Sequence, residues 1–278
     1  MKSYNKLDQP AILEMLFHPH RQERREQGEA VDVDVTVDEN ICLGCRFHLN
    51  DTASPTIIYF HGNGESVTDY DAIAPDYLHA GINLFVATYR GYGWSDGTPT
   101  VTSMMSDCVY IWKKFAEIKE EMELQGSIFI MGRSLGSAAA IELCYDYPED
   151  ITGLILESGF ADTLPLLQKL GLSDDQGIEE ADGFGNIAKI EEIKLPTLIL
   201  HGSKDQIIPV PQAEKLQAFS GAKAKKFFVI PGADHNSMLS KGGAHYFTTI
   251  KDFMDDLTGQ EAWRRRRKTS KEARQNDK

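Results

Sequence analysis

Two early segments, residues 31–37 and 41–49, read as extended chain separated by the turn Asp38-Glu39-Asn40. That pattern predicts an antiparallel hairpin. Beyond it the pattern changes to short continuous apolar runs at residues 56–60, 82–88, 127–131, 153–156, 197–200 and 226–230. Strands covered on both faces have this look. Stretches of helical period lie between the runs. Met104, Cys108, Ile111 and Phe115 share one face, with Met105, Val109 and Trp112 beside them, and Tyr246, Ile250, Phe253 and Leu257 share another. Such stripes are read as core. Strand and helix alternate over most of the chain, which predicts an α/β fold with a mostly parallel sheet and helices on both faces. Ligands of such sheets bind beyond the carboxyl ends of the strands.

No internal repeat or long Pro- or Ser-rich linker divides the chain. Residues 31–260 are expected to form one domain, preceded by an N-terminal segment (1–30) and followed by a basic, disordered tail (261–278). The sequence leaves open whether residues 1–30 cover the core or extend elsewhere. The one long excursion between core strands, residues 158–196, is expected to be a small mobile flap with an apolar helix, not a full lid domain.

Composition changes this picture little. Of 278 residues, 41% are apolar and 26% charged, ordinary for a soluble globular protein. No apolar run approaches the ~18 residues of a membrane span. The first ten residues lack a secretory signal pattern, so a cytoplasmic protein is expected. The net charge of −13 argues against nucleic acid as a partner, because phosphate binding needs a basic surface. The tail is the exception, with Arg264 to Arg267 in a row. It suggests weak contact with an anionic membrane or partner, or simply a solvated extension. Cys42 and Cys45 form C-x-x-C, but an odd spacing on a strand points the two side chains to opposite faces. No second C-x-x-C completes a zinc set, so ordinary strand packing is the expected role of both and no metal site is expected.

Chemistry enters at the strand ends. Gly132-Arg133-Ser134-Leu135-Gly136 follows one apolar run and precedes the helix-forming residues 137–143. In that setting G-x-S-x-G describes a tight turn that lifts a serine hydroxyl out of the sheet. The alternative is a Gly-rich turn with an incidental serine. A serine needs a base, and among eight histidines His235 lies in the loop after the last run, at the same sheet edge. His201 ends a strand and is read as structural support. His245 falls inside the last helix and is read as packing. Asp205, in the loop after residues 197–200, is the leading carboxylate to orient His235. Glu157, ending the preceding strand, is the rival, and Asp234 is read as bracing its own loop. The backbone N–H groups of Leu135 and of Asn63, in His61-Gly62-Asn63-Gly64, are the candidate oxyanion donors. Gly62 and Gly64 would let backbone approach a substrate. Arg133, Leu164 and Leu167 complete the candidate substrate-binding set, and Leu166 of the same apolar helix could line an acyl pocket with the two leucines, although core packing explains all three equally well.

These motifs, together with Tyr89-Arg90-Gly91-Tyr92-Gly93-Trp94-Ser95, stand in the order seen in the α/β-hydrolase superfamily. The chain resembles it over roughly residues 31–257. In particular it resembles the compact branch of acyl-protein thioesterases and bacterial esterase-like hydrolases. The resemblance implies cofactor-free hydrolysis of carboxylic esters or thioesters through an acyl-enzyme, with a small-molecule or acylated substrate. It also implies that the Tyr89 stretch is a structural turn near the pocket. Serine at the elbow argues against haloalkane dehalogenase or epoxide hydrolase chemistry, which uses aspartate there. Peptidases and amidases share the motifs. A non-catalytic binding protein would usually lack a triad member, and none is missing.

Overall fold

The computed structural model describes residues 3–24, 28–173 and 177–259, so the basic tail lies outside the described residues. The sheet is built from β1 (Val31–Asp38), β2 (Ile41–His48), β3 (Thr56–Phe60), β4 (Asn83–Ala87), β5 (Ile128–Arg133), β6 (Gly153–Glu157), β7 (Thr197–Gly202) and β8 (Lys225–Ile230). Their order is β1-β2-β4-β3-β5-β6-β7-β8. β1 and β2 form the antiparallel hairpin, and β2 also runs antiparallel to β4. Every other pairing is parallel. The expected α/β-hydrolase arrangement is therefore present.

Helices α1 (Pro10–Leu16), α2 (Ala74–His79), α3 (Val101–Glu121), α4 (Gly136–Asp146), α5 (Thr163–Leu170), α6 (Asn186–Glu192), α7 (Val210–Phe219), α8 (Met238–Gly242) and α9 (Ala244–Thr258) pack around it. Alternating side chains of a strand serve two cores. Ile58 and Phe60 of β3 pack with α1, α3 and α4, while Ile57 and Tyr59 pack with α2 and α9. Each central strand buries both faces, and this is why β3 to β7 read as unbroken apolar runs. From β3 the chain crosses to β4 on one side and later returns to β5 on the other. The switch point, where loops diverge and leave a crevice, thus lies between the ends of β3 and β5.

Two segments outside the sheet have contacts that the sequence left open. The N-terminal residues belong to the core: Tyr4, Leu7, Ile12, Leu16 and Phe17 are buried. Asp8 accepts the Val101 N–H at 2.7 Å at the start of α3. The described part of residues 158–196 also has polar contacts to its neighbours. Glu180 accepts the N–H groups of Thr163 and Leu164 at 2.8 and 2.7 Å, satisfying donors at the start of α5 that have no partner within the helix. Asp182 pairs with Lys6, and Phe184 is fully buried against Phe160. Glu180 and Asp182 thus tie the described part of this segment to its neighbours.

Candidate active site

Ser134 stands at the turn from β5 into α4 with φ of +52°, in the left-handed region that costs a non-glycine residue energy. The two flanking glycines are sterically required. A Cβ at Gly132 would lie 2.4 Å from Gly136 O, and one at Gly136 would lie 2.2 Å from Phe60 O. The Ser134 N–H is held by Glu157 O at 2.9 Å, and the Ser137 hydroxyl donates to Ser134 O at 2.6 Å. The side chain therefore has one direction left, toward the crevice.

His235 lies in the loop between β8 and α8. Its Nε2 is 2.8 Å from Ser134 Oγ and its Nδ1 is 2.7 Å from Asp205 Oδ2. Asp205 is fixed in turn: Oδ1 accepts the N–H groups of Ile207 and Ile208 at 2.9 and 2.8 Å. The carboxylate thus accepts from the Nδ1–H, leaving Nε2 as a lone-pair acceptor facing the serine. His201 supports this loop by donating from Nε2 to Ile208 O at 2.7 Å. Burial pushes His201 below its usual value, which keeps it neutral. Asp234 braces its own loop, accepting from Asn236 N and Ser237 Oγ.

Glu157, the rival acid, is held elsewhere. It accepts from Tyr246 at 2.6 Å and Tyr59 at 3.2 Å, and lies 3.4 Å from Arg133 Nε. Burial raises it above the usual carboxylate value despite the Arg133 charge. Arg133 joins three strand-end loops. It pairs with Glu65 after β3 and donates to His235 O at 2.8 Å and to Asn236 Oδ1 at 3.2 Å. Burial works against its charge, but the carboxylates of Glu65 and Glu157 more than offset that.

The loop after β3 is positioned by bonds at both ends. His61, held neutral by burial, donates from Nδ1 to Gly62 O at 2.8 Å. Tyr89 donates to His61 O at 2.8 Å. Glu65 accepts the Gly62 N–H at 2.7 Å and the Tyr70 hydroxyl at 2.8 Å. The Asn63 side chain is gripped from three directions. Its Oδ1 accepts from His18 N and from Tyr92 OH, each at 2.7 Å, and its Nδ2 donates to His18 Nδ1 at 2.8 Å. The Tyr89 stretch thus acts through two phenol groups behind the pocket. Among the described residues no protein acceptor takes the backbone N–H of Asn63 or Leu135.

A cavity of about 200 Å³ opens over Ser134 and His235, with Asn63, Leu135 and Arg133 on its floor. Gly62 and Gly64 do not line it. A Cβ at Gly62 would meet Arg133 Nη1 at 2.6 Å, so that glycine makes room for the arginine, while Gly64 makes the turn at φ of +75°. Leu164 and Leu167 do not line it either. Leu167 is fully buried and Leu164 packs against the core, so the turn of α5 presents Leu166 and Leu170 instead. Leu16 and Ile207 complete the roof. Sequence reasoning missed Leu16 and His18 because their partners lie far along the chain. Glu65 carried a weak signal, as the acid directly after His61-Gly62-Asn63-Gly64. Among the described residues no group of three or more His, Cys, Asp or Glu could hold a metal ion.

Comparison with known proteins now decides the family. Protein bem46 of Schizosaccharomyces pombe is 32% identical over 226 residues, covering 79% of this chain and 73% of bem46. The chain belongs to the bem46-like α/β hydrolases. The family model for serine aminopeptidases (S33) matches residues 51–171 of this hydrolase. An esterase from Pyrococcus furiosus superposes with a TM-score of 0.70 at 17% identity, over 86% of this hydrolase and 98% of that chain, a likeness of fold. A relative from Saccharomyces cerevisiae described as a membrane protein is 26% identical, covering 74% of this hydrolase and 72% of that protein. Among the described residues of the hydrolase, no helix is long and apolar enough to cross a membrane.

Proposed function

We propose that this hydrolase cleaves carboxylic esters or thioesters through an acyl-enzyme on Ser134. The observation that carries the reading is the continuous chain Ser134 Oγ–His235–Asp205, with contacts of 2.8 and 2.7 Å. Ser134 Oγ attacks the carbonyl carbon while its proton passes to His235 Nε2. The resulting imidazolium is stabilised by Asp205. The tetrahedral oxyanion takes the two uncommitted N–H groups of Asn63 and Leu135, the latter at the start of α4. Collapse expels the alcohol or thiol, which takes the proton from His235. Water, deprotonated by the same nitrogen, then releases the acid and restores Ser134.

Support comes from this geometry and from the esterase fold neighbour. The description of the S33 family favours a second reading, hydrolysis of amides at a peptide N-terminus. The test is labelling by a fluorophosphonate, alongside turnover of p-nitrophenyl esters, thioesters and aminoacyl p-nitroanilides, in wild type and Ser134→Ala. Labelling and ester turnover that vanish together in the variant are expected, with a fall in kcat on the order of 10⁶-fold. Anilide turnover exceeding that of esters would promote the peptidase reading. Folded wild-type protein that does not label would overturn the serine mechanism.

A further inference from the structure

A second cavity, of about 260 Å³, lies between α5 and the segment leading from Asp205 into α7. It shares two walls, Leu166 and Ile207, with the cavity over Ser134. Its remaining surface is dominated by Phe160, Pro165, Ile208 and Pro211. Just two polar side chains border it, Lys169 and Gln212. Gln212 is already committed, its Oε1 accepting the N–H groups of Ala161 and Asp162 at 2.9 Å each. Lys169 is exposed and keeps its ammonium in water at the rim, so an occupant inside the groove gains from apolar contact.

Two further observations tie this groove to the chemistry. Ile207 and Leu170 are among the few large hydrophobic residues left exposed, at 38% and 36%, and both sit beside Ser134's cavity. Exposed apolar surface joined to a site marks a binding face more than a packing defect. Ile207 and Ile208 also donate their N–H groups to Asp205, so the groove wall and the acid move as one unit.

We infer that the groove between α5 and the start of α7 holds an unbranched hydrocarbon chain of the substrate, running from the Ser134 cavity past Leu166 and Ile207. The inference rests on the proposed ester or thioester hydrolysis and adds the substrate class. A chain could enter from the acyl side or from the leaving group, and the chemistry of the groove is the same for both. Each methylene that leaves water in the groove raises specificity by about fourfold until the groove is full.

The test uses two ester series on the full-length protein. One runs from p-nitrophenyl acetate to palmitate, and the other from ethyl to hexadecyl acetate. In wild type, kcat/KM rises with chain length in one series. Ile207→Trp, at the junction, lowers the long-to-short ratio of kcat/KM by about tenfold or more. Pro211→Trp, which borders the outer cavity alone, trims the advantage of the longest chains only. Both positions are exposed, so melting temperatures near wild type confirm that folding is kept. The series that responds assigns the groove to the acyl chain or to the alkyl alcohol. Wild-type and Ile207→Trp profiles of the same shape in both series overturn the inference. Binding of a dansylated fatty acid to Ser134→Ala protein separates the two proposals. If that binding persists and Ile207→Trp weakens it about tenfold, the groove stands even where fluorophosphonate labelling fails. If labelling succeeds and the fatty acid does not bind, the groove falls and the serine mechanism stands.

Discussion

The floor and the roof of the cavity over Ser134 are built in different ways. The floor consists of loops directly following β3, β5, β7 and β8, and its side chains are joined by short polar contacts. Arg133, Glu65, Glu157, Asp205 and His235 lock these loops to one another. The roof consists of Leu16 after α1, Leu166 and Leu170 of α5, and Ile207. It is apolar and comes mostly from segments outside the strand-end loops. Directional bonds hold a reacting geometry to fractions of an ångström, whereas apolar surfaces tolerate changes of shape. Under the proposed mechanism the chemistry resides in the floor and selectivity in the roof.

Among changes that leave Ser134 in place, the largest effect is expected from disturbing the floor's orienting acid. Asp205→Asn leaves an amide that can present its N–H toward His235, favouring the wrong imidazole tautomer. A fall in kcat on the order of 10⁴-fold is expected, with little change in KM. Steady-state kinetics on the folded variant check this. Retention of a tenth of wild-type turnover would return the role of the acid to open question, with Glu157 next to test.

Next comes the polar staple beneath the floor. Arg133→Met removes the cation between Glu65 and Glu157 and leaves two largely buried carboxylates unpaired. The expected loss of stability is about 3–5 kcal/mol, read as a lowered midpoint in urea unfolding. Arg133→Met combined with Glu65→Gln recovers part of that loss, because one uncompensated charge is gone. A single variant as stable as wild type would show that the loops are held by packing alone.

The joint between roof and floor should respond more weakly. His18 touches the floor through Asn63, whose backbone N–H is the proposed oxyanion donor. His18→Ala removes the imidazole acceptor but keeps the backbone bond from residue 18. Turnover is expected to fall by about tenfold, or ~1.4 kcal/mol, with KM nearly unchanged. An effect confined to KM would instead place His18 with the roof.

The same contrast explains what could be read from residues alone. Floor positions were legible because a strand end, a tight turn and a nucleophile fall within a few consecutive residues. Gly132 to Gly136 carry their own steric reason, and Asp205 and His235 follow their strands directly. The hairpin and the parallel strands were legible because burial on one face or two imposes different periods. Of the roof only Leu166 was legible, and not apart from its neighbours. Leu166 and Leu167 are adjacent in α5, yet one faces the cavity and the other the core, a distinction set by where the sheet lies and not by residue type. Leu16 and His18 reach the site through docking of a segment whose own pattern does not reveal its partner. Glu157 read as a possible acid because its position fits one. Only the location of Arg133, Tyr59 and Tyr246 shows that it serves as an anchor.

The smallest effect is the response of the floor to mild acid. His61 and His201 brace the loops after β3 and β7, and burial lowers both below their usual value of 6.5. Between the lowered and the usual values the unfolded chain binds more protons than the native one. Stability therefore decreases as pH falls through and below about 6.5, since protons draw the equilibrium toward the unfolded state. For the pair, the change between about pH 6.5 and pH 6 stays under ~1 kcal/mol, and it steepens toward a limit of about 1.4 kcal/mol per pH unit for each histidine. Glu157, raised by burial, contributes with the opposite sign, losing stability as pH rises above its usual value toward its raised one. Urea midpoints measured across this range for wild type and His201→Gln isolate the β7 contribution. The variant should be less stable near neutrality, because Ile208 O loses its imidazole donor, yet flatter against acid. Equal slopes for the two proteins would show that His201 is solvated enough to titrate normally, and that the loop carrying Asp205 is held by the Ile207 and Ile208 bonds alone.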